Sequence, residues 1–96
     1  MGRQICKFRV REGCDDGFVR MNMHDWPDFF SRSSDYRGTT IGRNADDPRV
    51  YVTMDEWTSK SAFDGYVKEN GKEWDALSAR HKDFFESFEN VGFYDF

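Results

Sequence analysis

The chain has 96 residues, a formal net charge of −4 and an aromatic share of 18%, with ten Phe, four Tyr and three Trp. Its length fits a single domain, residues 1–96, and its acidic balance (pI near 5.1) argues against nucleic acid, which is held by clustered Lys and Arg. No apolar run approaches the ~20 residues of a membrane span, and the N-terminus lacks the apolar core of a signal peptide.

Each aromatic ring buries on the order of 150–250 Å². A disordered chain does not carry that much apolar area, even at a mean hydropathy of −0.87. The rings are therefore expected to fill a core, line a cavity or cover an interface. Cys6 and Cys14 form no Cys-x-x-Cys pair, and His24 and His81 do not join them at a zinc spacing. The expectation is a reduced, cytoplasmic protein without structural metal.

Gln4 to Val10 alternates, with Cys6, Phe8 and Val10 on one face and Ile5, Lys7 and Arg9 on the other. This predicts a first strand, closed by the Glu12-Gly13 turn. From Asp15 the period becomes helical: Phe18, Met21, Asn22, Asp25, Trp26 and Phe29 share one sector, with Asp15 or Asp16 suited to the N-cap. Pro27 lacks an N–H, so a kink, or two short helices meeting at Asp25-Trp26-Pro27, is predicted. Gly38 to Arg43 reads as a weak second strand, Asn44 to Pro48 as a hairpin loop and Val50 to Trp57 as a third strand.

Thr58 or Ser59 then caps a helix carrying Ala62, Phe63, Tyr66 and Val67, which stops at Asn70-Gly71. Trp74, Leu77, His81, Phe84, Phe85 and Phe88 fall at helical spacings, predicting a longer helix over at least Glu73 to Phe85. Val91 to Phe96 closes the chain as a fourth strand. The order β-α-β-β-α-β predicts a ferredoxin-like α+β fold: a four-stranded antiparallel sheet with helices on one face. That leaves Val50, Val52, Met54, Val91 and Phe93 as candidates for an apolar face opposite the helices.

Four pieces of this chain resemble the antibiotic biosynthesis monooxygenase domain. They are the turn Arg11-Glu12-Gly13, the hairpin Asp46-Asp47-Pro48, the block Glu56-Trp57-x-Ser59-x-x-Ala62-Phe63 and the terminal Phe93-Tyr94-Asp95-Phe96. The resemblance implies a homodimer whose two sheets pack into a dimeric α+β barrel, with a pocket in each subunit between the sheet and its own helices. If Cys6, Phe8 and Val10 face the helices, Lys7, Arg9 and Arg11 point into that barrel, where buried charges need partners such as Glu56, or else lie at its mouth in water.

The resemblance places Trp57 against the pocket, as a planar wall or as an anchor between strand and helix. In the family's polyketide monooxygenases that Trp works with an Asn four residues earlier and a Tyr six residues later. Here those positions hold Thr53 and Phe63, so that catalytic set is absent. The haem-degrading branch fits worse, since Cys6 and Tyr66 stand at its Asn and Trp positions and no His stands at its histidine position.

His81 is the catalytic candidate, because an inward neutral imidazole can accept a substrate proton. The alternative is a core-edge histidine satisfied by a carbonyl or carboxylate. Tyr66, Trp26, Asn22, Thr53 and Phe63 complete the candidate substrate-binding set, His24 is expected in solvent, and no metal or cofactor is called for. The favoured reading is an enzyme, a cofactor-independent monooxygenase or related oxidoreductase acting on a small aromatic or quinol-like compound. The competing reading is a non-catalytic dimeric binding or assembly module.

Overall fold

In the computed structural model, which describes residues 1–96, strand β1 (Gly2–Val10) is the axis of the molecule. It pairs antiparallel with β3 (Val50–Trp57) on one side and β4 (Phe85–Asp95) on the other. Strand β2 (Tyr36–Arg43) adds to β3, giving the order β2-β3-β1-β4. The helices α1 (Asp15–Arg20), α2 (Trp26–Phe30), α3 (Lys60–Glu69) and α4 (Gly71–His81) complete the predicted ferredoxin-like α+β order.

The register sorts the side chains by face. Gly2↔Trp57, Gln4↔Asp55, Cys6↔Thr53 and Phe8↔Tyr51 look toward the helices, while Ile5↔Met54, Lys7↔Val52 and Arg9↔Val50 look away. Gly13, at φ 80, supplies the left-handed turn that ends β1. Ser59 caps α3, its hydroxyl accepting from the Ala62 N–H at 3.1 Å, while Thr58 donates to Asp35 instead. Neither Asp15 nor Asp16 is the N-cap of α1. Cys14 is, and the two carboxylates sit in the first turn, where the helix dipole favours them.

At Pro27 the second of the two expected outcomes is found: two short helices, the latter beginning at Trp26. Between α1 and α2 the chain widens into a π-turn, Met21–Asp25, and the Trp26 N–H reaches the Met21 carbonyl five residues back. A proline at position 27 cannot donate to the carbonyl of residue 23, and the wider turn that joins α1 to α2 accommodates the missing bond.

The long helix is shorter than predicted. It ends at His81, one 3₁₀ turn covers Lys82–Phe84, and Phe85 begins a strand of 11 residues. Two β-bulges explain the misleading spacing. The register of β1 with β4 slips at Arg9/Val10 and again at Ile5/Cys6, so one residue is skipped at each place. Phe85, Phe88, Asn90 and Phe93 thereby share the helix-side face at intervals of three, two and three, the threes imitating a helical stripe. Phe93 thus faces the helices, stacked on Phe63 at 6.4 Å, and does not belong to the opposite apolar face.

That outer face keeps Ile5, Val50, Val52 and Met54 half-buried among charges. Arg3 pairs with Glu56 at 3.3 Å, and Arg9 with Asp47 at 2.9 Å and Glu86 at 3.7 Å, while Lys7 and Arg11 are exposed. These pairs are partly solvated and add little stability.

On the helix side the core forms two clusters. One packs Met21, Trp26, Phe29, Phe30, Trp57 and Leu77, and the other packs Phe8, Val10, Phe18 and Tyr51. No helix is long and apolar enough to cross a membrane, and both cysteines are free thiols.

Candidate functional site

A cavity of about 480 Å³ lies between the sheet and α2, α3 and α4, within the size range of small-molecule sites. Its walls are aromatic: Phe8, Trp26, Phe30, Phe63, Trp74 and Phe85. Of the predicted site residues, His81, Asn22, Trp26, Thr53 and Phe63 line it.

Trp57 and Tyr66 do not. Trp57 is fully buried against Phe30, Tyr36, Phe63 and Tyr66, with ring centroids 5.3–5.6 Å apart, and its indole N–H has no acceptor. Tyr66 donates its hydroxyl to the Phe29 carbonyl at 2.5 Å, which locks α3 to α2. Their placement as planar pocket walls is therefore corrected: both are anchors behind the cavity wall.

His81 stands in a box of rings, with Phe8, Phe18, Trp26 and Phe85 at centroid distances of 5.1 to 5.7 Å. Asn22, presented by the π-turn, decides its protonation. Its amide nitrogen lies 2.9 Å from the Phe18 carbonyl and 2.9 Å from His81 Nε2. The carbonyl can only accept, so the Asn22 NH₂ faces it and the second N–H points at the imidazole. His81 Nε2 must then be the acceptor, which places the ring's single proton on Nδ1.

Protonating Nε2 would set two donors against each other inside an apolar box. Burial accordingly pushes the His81 pKa down to about 4. The imidazole is neutral near pH 7 with its basic lone pair engaged. What it offers the cavity is the Nδ1–H, which has no partner in the chain and is not sealed off.

Asp55, not among the predicted site residues, is a further titratable group in the cavity wall, with a pKa that burial shifts. It shares the inward face of β3 with Thr53, directly across from Gln4 of β1. Thr39 of β2 donates to its Oδ1 at 2.6 Å, and Thr39 in turn lies 2.5 Å from the Tyr36 hydroxyl. Burial raises the Asp55 pKa to about 6, with the Thr39 hydrogen bond pulling the other way.

The signal for Asp55 was present in the sequence. The alternation that turns Val50, Val52 and Met54 outward turns Tyr51, Thr53, Asp55 and Trp57 inward, and a carboxylate on an inward strand face is rare.

A second groove, about 510 Å³, opens on the surface beside α1 and includes His24, Asp15 and Tyr51. His24 is exposed there, as expected. Nowhere do three His, Cys, Asp or Glu side chains converge as a metal cage would require.

These features define a ferredoxin-like α+β domain with a ligand-sized, aromatic-walled cavity under its helices, the fold of the antibiotic biosynthesis monooxygenase domain. No protein-family model matches the sequence, and no curated protein matches it.

Solved structures do share the fold. SnoaB, a cofactor-independent oxygenase from Streptomyces nogalater, superposes with a TM-score of 0.71 at 18% identity, over 99% of this chain and 91% of that one. A Nitrosomonas europaea protein assigned to the antibiotic biosynthesis monooxygenases gives 0.66 at 20% identity, over 100% and 98%. A conserved protein from Methanosarcina mazei gives 0.74 at 9%, over 97% and 89%. At such identities the likeness establishes the fold, and the chemistry must be argued from the cavity.

Proposed function

We propose that this protein is a monooxygenase-like oxidoreductase acting, without a bound cofactor, on a small aromatic phenol or quinol held in the helix-side cavity. One observation carries the reading: a neutral imidazole, fixed in its Nδ1–H form by Asn22, opens onto a cavity walled by aromatic rings. Flat walls suit a planar guest, and the His81 N–H, set among the Phe8, Trp26 and Phe85 rings, suits its oxygen. A quinol-type substrate brings its own electrons. In such a reaction one atom of O₂ enters the substrate and the other leaves as water with two substrate hydrogens. The fold shared with SnoaB, itself described as a cofactor-independent oxygenase, accords with this chemistry.

A homodimer goes with this reading, because Ile5, Val50, Val52 and Met54 on the outer sheet face are a surface that a second copy would cover. The rival reading, a non-catalytic binding or assembly module, is favoured by the sealed position of Trp57 and by Thr53 and Phe63, which lack the amide and phenol groups of the polyketide enzymes.

Oxygen uptake with a panel of quinols and polyphenols separates the two. The enzyme reading expects consumption by the wild type and its loss in His81→Phe, which keeps a ring in the box but removes the N–H. Tight binding of the same compounds without oxygen uptake would leave the binding module.

A further inference from the structure

We infer that Asp55, not His81, is the proton acceptor of this cavity, taking the hydroxyl proton of a bound phenol onto its Oδ2. The inference rests on the reading of the cavity as a phenol or quinol site and assigns its acid–base chemistry.

Geometry rules on the two candidates. His81 has spent its only lone pair on the Asn22 N–H, so it can donate but not accept without breaking a buried hydrogen bond. Asp55 is arranged in the opposite sense. Thr39 holds Oδ1, and Oδ2 has no partner in the chain and is not sealed from the cavity. The carboxylate fixes the direction of the relay: the single Thr39 hydroxyl proton goes to Asp55, so the Tyr36 hydroxyl donates to Thr39. A carboxylate so oriented presents its unused lone pairs to a guest.

The charged and titratable groups around Asp55 leave that role open. From β1 comes the Cys6 thiol, which burial holds above its ordinary value and so neutral. From β2 comes Tyr36, likewise raised by burial. From α3 come Lys60 and Asp64, paired with each other at 2.6 Å. From the end of α4 come neutral His81 and exposed Lys82. No cation forms an ion pair with Asp55, so nothing holds it in a salt bridge, and burial alone lifts its basicity toward that of an effective general base. In the step itself the phenolic O–H bond breaks, the proton passes to Asp55 Oδ2 and the electron pair stays on the substrate oxygen. The His81 Nδ1–H is a second polar group, suited to hold a guest oxygen.

The test uses 2-naphthol, whose neutral and anionic forms fluoresce at separate wavelengths and whose excited state is a strong acid. Bound beside a carboxylate it gives up its proton and emits from the naphtholate band. Wild type saturated with 2-naphthol is expected to show that band at pH 7.5 and to lose it on acidification with a midpoint at about 6. Asp55→Asn should bind the probe and show only the neutral band from pH 7.5 through the same acidification. Thr39→Val, which removes the hydrogen bond favouring the carboxylate, should move the midpoint upward, and it decides the matter should Asp55→Asn fail to fold.

Binding with naphtholate emission that persists in Asp55→Asn, or with a midpoint unmoved in Thr39→Val, overturns the assignment while leaving the aromatic site standing. Failure of 2-naphthol to bind the folded wild type overturns the site itself, and the assignment with it.

Discussion

Replacing Asp55 by Asn should make the protein more stable at neutral pH. In the unfolded chain Asp55 titrates near 3.8, and in the folded protein at about 6. The folded state therefore prefers the protonated acid. The stability this contributes is fully present below about 3.8 and is lost as pH rises through about 6. The difference of about two pKa units corresponds to about 3 kcal/mol carried as a cost at pH 7.5. Asn resembles the neutral acid and can still accept from Thr39, so the variant should recover up to that amount, a large share of a small domain's 5–15 kcal/mol.

His81 works with the opposite sign. Its folded pKa of about 4 lies below the unfolded 6.5, so its contribution is present above 6.5 and is lost as pH falls through 4. Between pH 4 and 6 the two groups nearly cancel, and wild-type stability should be flat there. In Asp55→Asn the His81 loss stands alone, and stability should fall by about 3 kcal/mol between pH 7 and 4. Urea unfolding across a pH series reads both curves. A variant less stable than wild type at pH 7.5, or more stable by the same amount at every pH, would refute the reasoning.

His81→Phe should abolish oxygen uptake with quinols and cost about 1–3 kcal/mol in urea unfolding, because the Asn22 N–H is left without its acceptor. Asn22→Asp puts an acceptor where His81 now meets a donor, so the imidazole titration followed by NMR should rise from about 4 to above its ordinary 6.5. Gly17→Ala sets a methyl 2.4 Å from the Phe84 ring and should destabilise by about 1–3 kcal/mol, whereas Gly65→Ala, with nothing nearby, should not. Sedimentation equilibrium at micromolar concentration should give about twice 11.4 kDa, and a monomer would refute the proposed pairing of sheet faces.

The strand alternation in residues 4–10 and 50–57 was legible because one face is apolar and the neighbouring positions are not, which fixes the period without tertiary information. The β4 register was not legible. A bulge shifts the phase by one residue, and its position depends on the partner strand. Glu86 and Val91 carry no local mark of being the skipped residues.

At the site, His81 was legible as inward, but its protonation state was not. Asn22 reaches it only through the π-turn ahead of Pro27 and across 59 positions of sequence. Trp57 shows a different limit: sequence reports that an indole is buried but not on which side of a cavity wall it lies.

The two bulges in β4 also bear on how copies of this chain avoid one another. β4 is an edge strand, and a long regular edge offers unpaired amides and carbonyls to any other extended chain. The bulges twist that edge and break its ladder into short runs, and Glu89 stands exposed along it without an ion pair. A neighbouring strand would meet negative charge and a broken register in place of a template. Association through the broad face of the sheet then stays open while growth from the β4 edge, one route to fibrils, is disfavoured.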